Sequence, residues 1–330
     1  MGNKSLRHWQ GVGALALAAL SALSCSDQVE AKAGLLHELE RLAFVPAGEV
    51  NSRILLKADF AAGTSVPLLV DRFEVTRSDL DNSGLEAPSE RGWLGEKGWA
   101  GGSLEETGNW PACVSFPEAI EYAHSRGMRL PAVGEWLYIA AGRLGHRYPW
   151  GHTWQKSVAN TLGLEFGRPL PVGTFEGGRG PFGTYDQIGN LWEWTSDWVP
   201  GIGDPFGEGV GLEDLGGEPP YLSALGGSFT SRQRPLFWDA ESPLSFYAIS
   251  LTRGHRSREV GMRCVAEAEG YLLRIAHDLG NSAVSQKRLR AIGARWASTG
   301  EGAVIELLER LVAQDASALG LKSLLEGARP

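Results

Sequence analysis

The stretch Gly183-Thr184-Tyr185-Asp186-Gln187-Ile188-Gly189-Asn190-Leu191-Trp192-Glu193-Trp194-Thr195-Ser196-Asp197-Trp198 decides how this chain is read. Tryptophans, acids and a Gly-Asn pair crowd together here. Neither the 3.6-residue period of an amphipathic helix nor the alternation of a half-buried strand generates such a mixture. Gly189-Asn190 lets the backbone turn through dihedrals that most residues avoid, aiming carbonyls inward. Asp186 and Glu193 flank that turn and offer hard oxygens of the kind Ca²⁺ collects. Trp192 and Trp194 would pack beside the ion and exclude water. The same residues also suit a tight turn with solvated acids and indoles that fill a core.

Shorter motifs extend outward from this block in a fixed order. Upstream stand Phe44-Val45-Pro46-Ala47-Gly48, Phe73-Glu74-Val75-Thr76, Val114-Ser115-Phe116 with Glu118-Ala119, and Arg129-Leu130-Pro131 with Glu135-Trp136. Tyr148-Pro149-Trp150-Gly151, Ala159-Asn160-Thr161 and Pro171-Val172-Gly173 follow; downstream come Gly226-Gly227-Ser228-Phe229 and Gly261-Met262-Arg263. Taken in this order, the motifs resemble those of the formylglycine-generating enzyme family, also called sulfatase-modifying factor domains. The resemblance implies an α+β, loop-rich variant of the C-type-lectin architecture over residues 40–267.

Composition fits that expectation. A chain of 330 residues with 43% hydrophobic content and 44 glycines can bury one large core while leaving much of its architecture to turns. The formal net charge of −8 argues against a nucleic-acid partner, which would need clustered Lys and Arg. The basic run Lys287-Arg288-Leu289-Arg290 reads as the solvated face of a helix.

The first residues read as an address. Lys4, Arg7 and His8 precede the apolar run Val12–Leu20, which is too short to span a bilayer and has the shape of a secretory signal. It ends in Ala22-Leu23-Ser24-Cys25, which resembles a bacterial lipobox and makes Cys25 the lipidated first residue of the mature chain. Residues 1–24 are then the signal peptide and 25–39 a tether with a short helix. Removing the signal takes away two cations and no acid, so the mature chain is more acidic. Ser26 favours outer-membrane sorting, by resemblance to lipoproteins generally. An acyl anchor would hold the domain at the cell envelope without a spanning helix.

Catalytic members of the family use two cysteine thiolates, five residues apart and just after the Gly-Gly-Ser motif, to bind Cu(I) and activate O₂ against a substrate cysteine. Carried onto this sequence, those positions are Ser231 and Leu236. A hydroxyl and a hydrocarbon are poor ligands for so soft a metal, so no catalytic residue is assigned and copper is not expected. Two cysteines remain besides Cys25: Cys113 and Cys264. In a secreted protein a disulfide is the default for such a pair, with two separate buried thiols as the alternative. In the family, the cysteine at the Cys264 position commonly pairs with one in the first core helix, where this chain has Ala123.

The resemblance also carries two calcium sites. The family's second site falls on Asp186, the carbonyls of Gly189 and Leu191, and Glu193, and its ligands are all kept. The first falls on Asn160 and Thr161, but its Asp is replaced by Leu164 ahead of Phe166, so this second candidate is degenerate. One structural Ca²⁺ is expected.

Local signals make further expectations. Ser115-x-x-Glu118 has capping-box spacing and predicts a helix from there to about Ser125. A second helix is predicted around Val133–Ala141; it keeps Glu135 but begins with Ala132 in place of a capping side chain, a loss of about 1 kcal/mol. Apolar stripes beyond Ala266 predict a helical tail over residues 268–330, with Gly280, Gly300 and Gly320 as breaks and burial within the same chain. Residues 82–109 and 199–222 read as Gly-rich loops able to vary a binding surface, and Trp93, Trp99 and Trp110 as an aromatic surface that either binds sugar or packs.

Other chemistries find little support. The histidines are scattered with no zinc or iron triad spacing. Iron sulfoxide synthases carry this domain beside a histidine-bearing one, and nothing resembling that precedes residue 40. Ser228 and Ser231 lack a G-x-S-x-G elbow. The sequence therefore points to a surface-tethered, non-catalytic lipoprotein that binds an envelope protein or glycan through a calcium-pinned domain. The alternative is an oxidoreductase related to formylglycine-generating oxidase.

Overall fold

The computed structural model describes residues 34–50, 62–85, 104–197, 221–232, 248–279, 282–300 and 302–330. The signal segment, Cys25, Leu236, Trp93 and Trp99 lie outside the described residues. So does Gly280.

Three small sheets organise the expected α+β domain. In the first, β4 (Leu68–Asp71) lies between β1 (Leu42–Val45) and β9 (Val265–Glu267), antiparallel to both. The two ends of the family domain thus meet on one central strand. The runs Leu-Ala-Phe-Val and Leu-Leu-Val-Asp are buried at every residue, as strands covered on both faces must be. A two-stranded ribbon joins β2 (Gly48–Glu49) to β3 (Gly63–Thr64). The third sheet runs β7 (Ala248–Thr252), β6 (Tyr221–Leu225), β5 (Trp192–Trp194), β8 (Val260–Gly261), with β5 and β8 parallel. The opening block therefore ends as a buried strand: Trp194 donates its indole N–H to the Val114 carbonyl at 2.9 Å and meets Phe116 edge-on.

Both core helices begin where their caps predict. Glu118 reaches back to the backbone N–H and hydroxyl of Ser115, and the helix runs Phe116–Ser125. The second helix runs Val133–Ala141. Glu135 accepts the Ala132 N–H at 2.8 Å while pairing with Arg129 through both oxygens. The cap that Ala132 lacks is replaced from far away: a carboxylate oxygen of Asp197 accepts the Val133 N–H at 2.7 Å. The expected loss at this helix start is thus offset by the last acid of the opening block.

The region beyond the domain forms helices Ala268–Ile275, Ala283–Gly300, Gly302–Gln314 and Leu319–Ala328. Their apolar faces are buried within the chain. Trp296 donates its indole N–H to the Leu42 carbonyl at 2.9 Å, its ring centroid lies 6.4 Å from that of Phe44, and Arg288 pairs with Glu40. Gly300 ends a helix as expected. Gly320 does not break one: it lies inside Leu319–Ala328, where a Cβ would stand 2.4 Å from Cβ of Leu279. Close packing, not chain reversal, requires that glycine. The same holds where Gly293 and Gly327 let two helices touch, since a Cβ on either would lie 2.0 Å from a carbonyl oxygen of the other helix. In the 82–109 segment a short helix, Leu104–Thr107, interrupts the expected loop. Trp110 is buried, with the Arg168 guanidinium 5.0 Å over its ring, so it packs rather than presents a surface. Among the described residues, no helix is long and apolar enough to cross a membrane.

Candidate functional site

The Gly-Asn turn is held in the left-handed region, with φ of 82° at Gly189 and 59° at Asn190. A Cβ on Gly189 would lie 2.2 Å from the Asn160 carbonyl oxygen, so the close approach as well as the dihedral demands glycine. The Asn190 N–H donates to that same carbonyl at 2.8 Å. Its side chain accepts from Asn160 and from the Leu170 N–H and donates to Glu74 at 2.6 Å. On the other side, Gly189 donates to the Gly226 carbonyl and Phe229 donates to the Asn190 carbonyl, which fixes the Gly-Gly-Ser loop against the turn.

Charge gathers around this turn. Arg263 is fully buried and grips Glu193 with two hydrogen bonds, Nη2 to Oε1 at 2.6 Å and Nε to Oε2 at 3.0 Å. Its remaining donors reach the carbonyls of Asp71 and Tyr185. Trp136 donates its indole N–H to Glu193 Oε2 at 2.6 Å. Glu74, also fully buried, accepts from Asn190 and from the Leu191 N–H. Asp186, at φ 59°, accepts the Gly173 N–H at 2.6 Å. Desolvation first, then the charges of Asp186 and Glu193, push the Glu74 carboxyl well above its ordinary range. Desolvation also raises Asp186 to about 6, opposed by the Gly173 N–H and by Arg263.

This arrangement bears on the calcium expectation. Ionised, Glu74, Asp186 and Glu193 leave a surplus of negative charge that one guanidinium does not balance, and burying unbalanced charge is costly. Oε2 of Glu193 accepts from Arg263 and Trp136 and Oε1 accepts from Arg263, while Oδ2 of Asp186 carries the Gly173 bond. A hard cation at Asp186, Gly189, Leu191 and Glu193 would have to share Glu193 with Arg263, which already holds both of its oxygens. Bound there, Ca²⁺ would neutralise the cluster and pin the turn. The degenerate site differs. Thr161 precedes the short helix Leu162–Leu164 and Leu164 offers no charge, although Oδ1 of Asn160 is a buried acceptor left without a partner among the described residues. Asn160 instead serves the Asn190 turn.

Around Ser231, the first of the family's two thiol positions, the described residues supply hydroxyls. Ser231 accepts the Ser228 N–H at 2.9 Å, while Ser228 donates its hydroxyl to Glu259 at 2.8 Å and Thr230 donates to the same oxygen. No disulfide joins Cys113 and Cys264. The Cys113 thiol donates to the Arg258 carbonyl, whereas Cys264 is buried with its N–H on Asp71, and burial drives its thiol well above the usual range. Among the described residues, no three His, Cys, Asp or Glu side chains are grouped to hold a metal. Glu74, Arg263 and Glu259 received no role from the sequence. Glu74 and Arg263 lie inside two of the quoted motifs, which was their only signal.

The sequence model of the sulfatase-modifying factor enzyme 1-like domain matches residues 31–268. Hercynine oxygenase of Mycolicibacterium smegmatis is 28% identical over 221 residues, 53% of this chain and 49% of that protein. The formylglycine-generating enzyme of Mycobacterium tuberculosis is 38% identical over 96 residues, 25% of this chain and 31% of that protein. Inactive C-alpha-formylglycine-generating enzyme 2 of Bos taurus is 33% identical over 121 residues, 33% and 40% of the two chains. The chain thus spans about half the length, or less, of these curated relatives. Among solved structures, PvdO from Pseudomonas aeruginosa superposes with a TM-score of 0.47 at 18% identity, covering 68% of this chain and 94% of that one. With most of its length matched by the family's own sequence pattern, the chain belongs to the sulfatase-modifying factor enzyme 1-like domain family.

Proposed function

We propose that this protein is a non-catalytic member of its family, tethered through a lipidated Cys25 in a bacterial cell envelope. Its calcium-pinned domain would serve as a rigid scaffold for an envelope protein or a glycan. One observation carries the reading: Ser231 stands where the first copper thiolate would be, and its hydroxyl is tied into a hydroxyl–carboxylate network with Ser228, Thr230 and Glu259. Such oxygens do not suit Cu(I). The surviving thiols are poor candidates for a substitute pair: Cys113 donates to the Arg258 carbonyl, and Cys264 is buried, with desolvation holding its thiol well above the usual range. One similar protein, from Bos taurus, is itself named inactive.

The second reading is an oxidoreductase acting on a protein cysteine, favoured by the likeness to formylglycine-generating enzymes. The two readings part on whether a cysteine peptide is oxidised in the presence of copper.

Two further expectations test the scaffold reading. Cell fractionation should find the full chain with membranes and the Cys25→Ser variant in the soluble fraction; identical partitioning of both would remove the tether. Chelation of calcium should lower the Tm by several degrees, since a site filled about 100-fold above its Kd contributes about 2.7 kcal/mol. Asp186→Asn should abolish that response. A Tm indifferent to chelator and to added Ca²⁺ would leave Arg263 and protonated carboxyls as the whole of the cluster.

A further inference from the structure

The family domain and the C-terminal helices enclose a cavity of about 140 Å³ that lies apart from the Gly-Asn turn. Arginines from separate parts of the chain line it: Arg72 just after β4, Arg179 from the loop before the opening block, and Arg295 from helix Ala283–Gly300. Trp296, Ser298 and Thr299 complete the wall on the helix side.

The charges here are poorly balanced from within. Among the described residues, no carboxylate stands at ion-pair distance from Arg72 or Arg295; Arg179 has Glu176 at 3.6 Å, at an exposed position. The neighbouring acid Glu40 is committed to Arg288. Arg72 lies over the rings of Phe73 and Tyr185, at 5.2 and 5.7 Å, and its Nε makes a long 3.4 Å contact with the Gly183 carbonyl. Arg295 spends Nη2 on the carbonyls of Leu39 and Leu42, and its Nε is buried with no hydrogen-bond partner. Burial and the nearby charge of Arg72 pull Arg295 down to about 10, against the opposing charge of Glu40. A buried donor without a partner, beside like charge, is a costly arrangement that an anion would relieve.

We propose that this cavity binds a small tetrahedral oxyanion, phosphate or sulfate, either free or as the end group of a small ester. Planar guanidinium forks match oxyanions through paired charge-assisted hydrogen bonds, and three of them exceed what a single carboxylate would need. The volume sets the size class. Pockets for whole drug-sized ligands run from about 300 Å³ upward, so this cavity admits a head group and little beyond it. The position sets the consequence. A ligand held by Arg72, Arg179 and Arg295 at once would clamp the tail helix to the family domain.

Calorimetric titration of the full chain with inorganic phosphate, inorganic sulfate and phenyl phosphate, at constant ionic strength in chloride, tests this. Saturable binding at one equivalent is expected. Phosphate binding should weaken on the order of tenfold in Arg179→Ala, and further in Arg72→Gln, since each removes a charge-assisted contact. Arg179 is an exposed side chain, so its variant keeps the test valid should Arg72→Gln fold poorly. Arg290→Ala, which removes an exposed cation paired with Glu326 away from the cavity, should bind as the wild type does. Binding of the inorganic ions but not phenyl phosphate would assign a free ion; binding of all three would assign an ester end group. No saturable binding by the wild type, or equal weakening in Arg290→Ala and Arg179→Ala, would overturn the proposal.

Discussion

Arg263→Ala is expected to lower stability by about 3–5 kcal/mol, the cost of breaking a buried ion pair by removing one partner. The side chain has no solvent exposure. Its loss strips Glu193 of two hydrogen bonds and leaves the carbonyls of Asp71 and Tyr185 without their donors. Among the described residues, it also removes the cation facing Glu74, Asp186 and Glu193, where desolvation first, and mutual repulsion after it, already raise the first two. Thermal unfolding should shift by roughly ten degrees. Arg263→Lys should recover only part of this, because an ammonium keeps the charge but not the planar fork. The double variant Arg263→Met with Glu193→Gln should cost less than the sum of the two single changes, as expected for groups that act on one another directly. Additive effects, or a shift of under about 1 kcal/mol for Arg263→Ala, would show that the cluster is held by something other than this pair.

Trp296→Ala is expected to cost about 3–5 kcal/mol, the range for truncating a buried indole. The ring is buried against Phe44, and its N–H is satisfied by the Leu42 carbonyl on β1. Losing both should loosen helix Ala283–Gly300 from the sheet that the family domain closes through β4 and β9. Limited proteolysis should therefore open new cuts within residues 282–300, alongside a lower Tm. A normal Tm, or a lower Tm with an uncut tail, would mean that the tail is secured elsewhere, for example by Arg288 and Glu40.

What the sequence revealed follows the range of each interaction. The box Ser115-x-x-Glu118 places a helix start correctly because both partners lie within one turn, and Gly189-Asn190 announces its left-handed dihedrals through residue type alone. The replacement cap on Val133 was hidden, since Asp197 stands 64 residues away and its acid reads locally as one more polar group in a tryptophan-rich run. The pairing of Glu193 with Arg263 spans 70 residues and was hidden in the same way, although both fall in quoted motifs. Gly320 was misread because a glycine that ends a helix and one that lets another side chain approach look alike in one dimension. The cysteines illustrate a third limit: compartment argues for a bridge, but only the fold shows that none joins Cys113, whose thiol donates to the Arg258 carbonyl, to the buried Cys264. The basic cavity assembles arginines from positions 72, 179 and 295, a separation that no local pattern spans.

The central claim is that the family's scaffold persists here without its copper-binding sulfur pair. Incubation of the purified chain with Cu(I), O₂ and a cysteine-containing sulfatase peptide tests it most directly, read by mass spectrometry for the aldehyde. The account predicts recovery of unmodified peptide under conditions where an active family member turns over. Aldehyde formation that disappears in Cys264→Ser would contradict it.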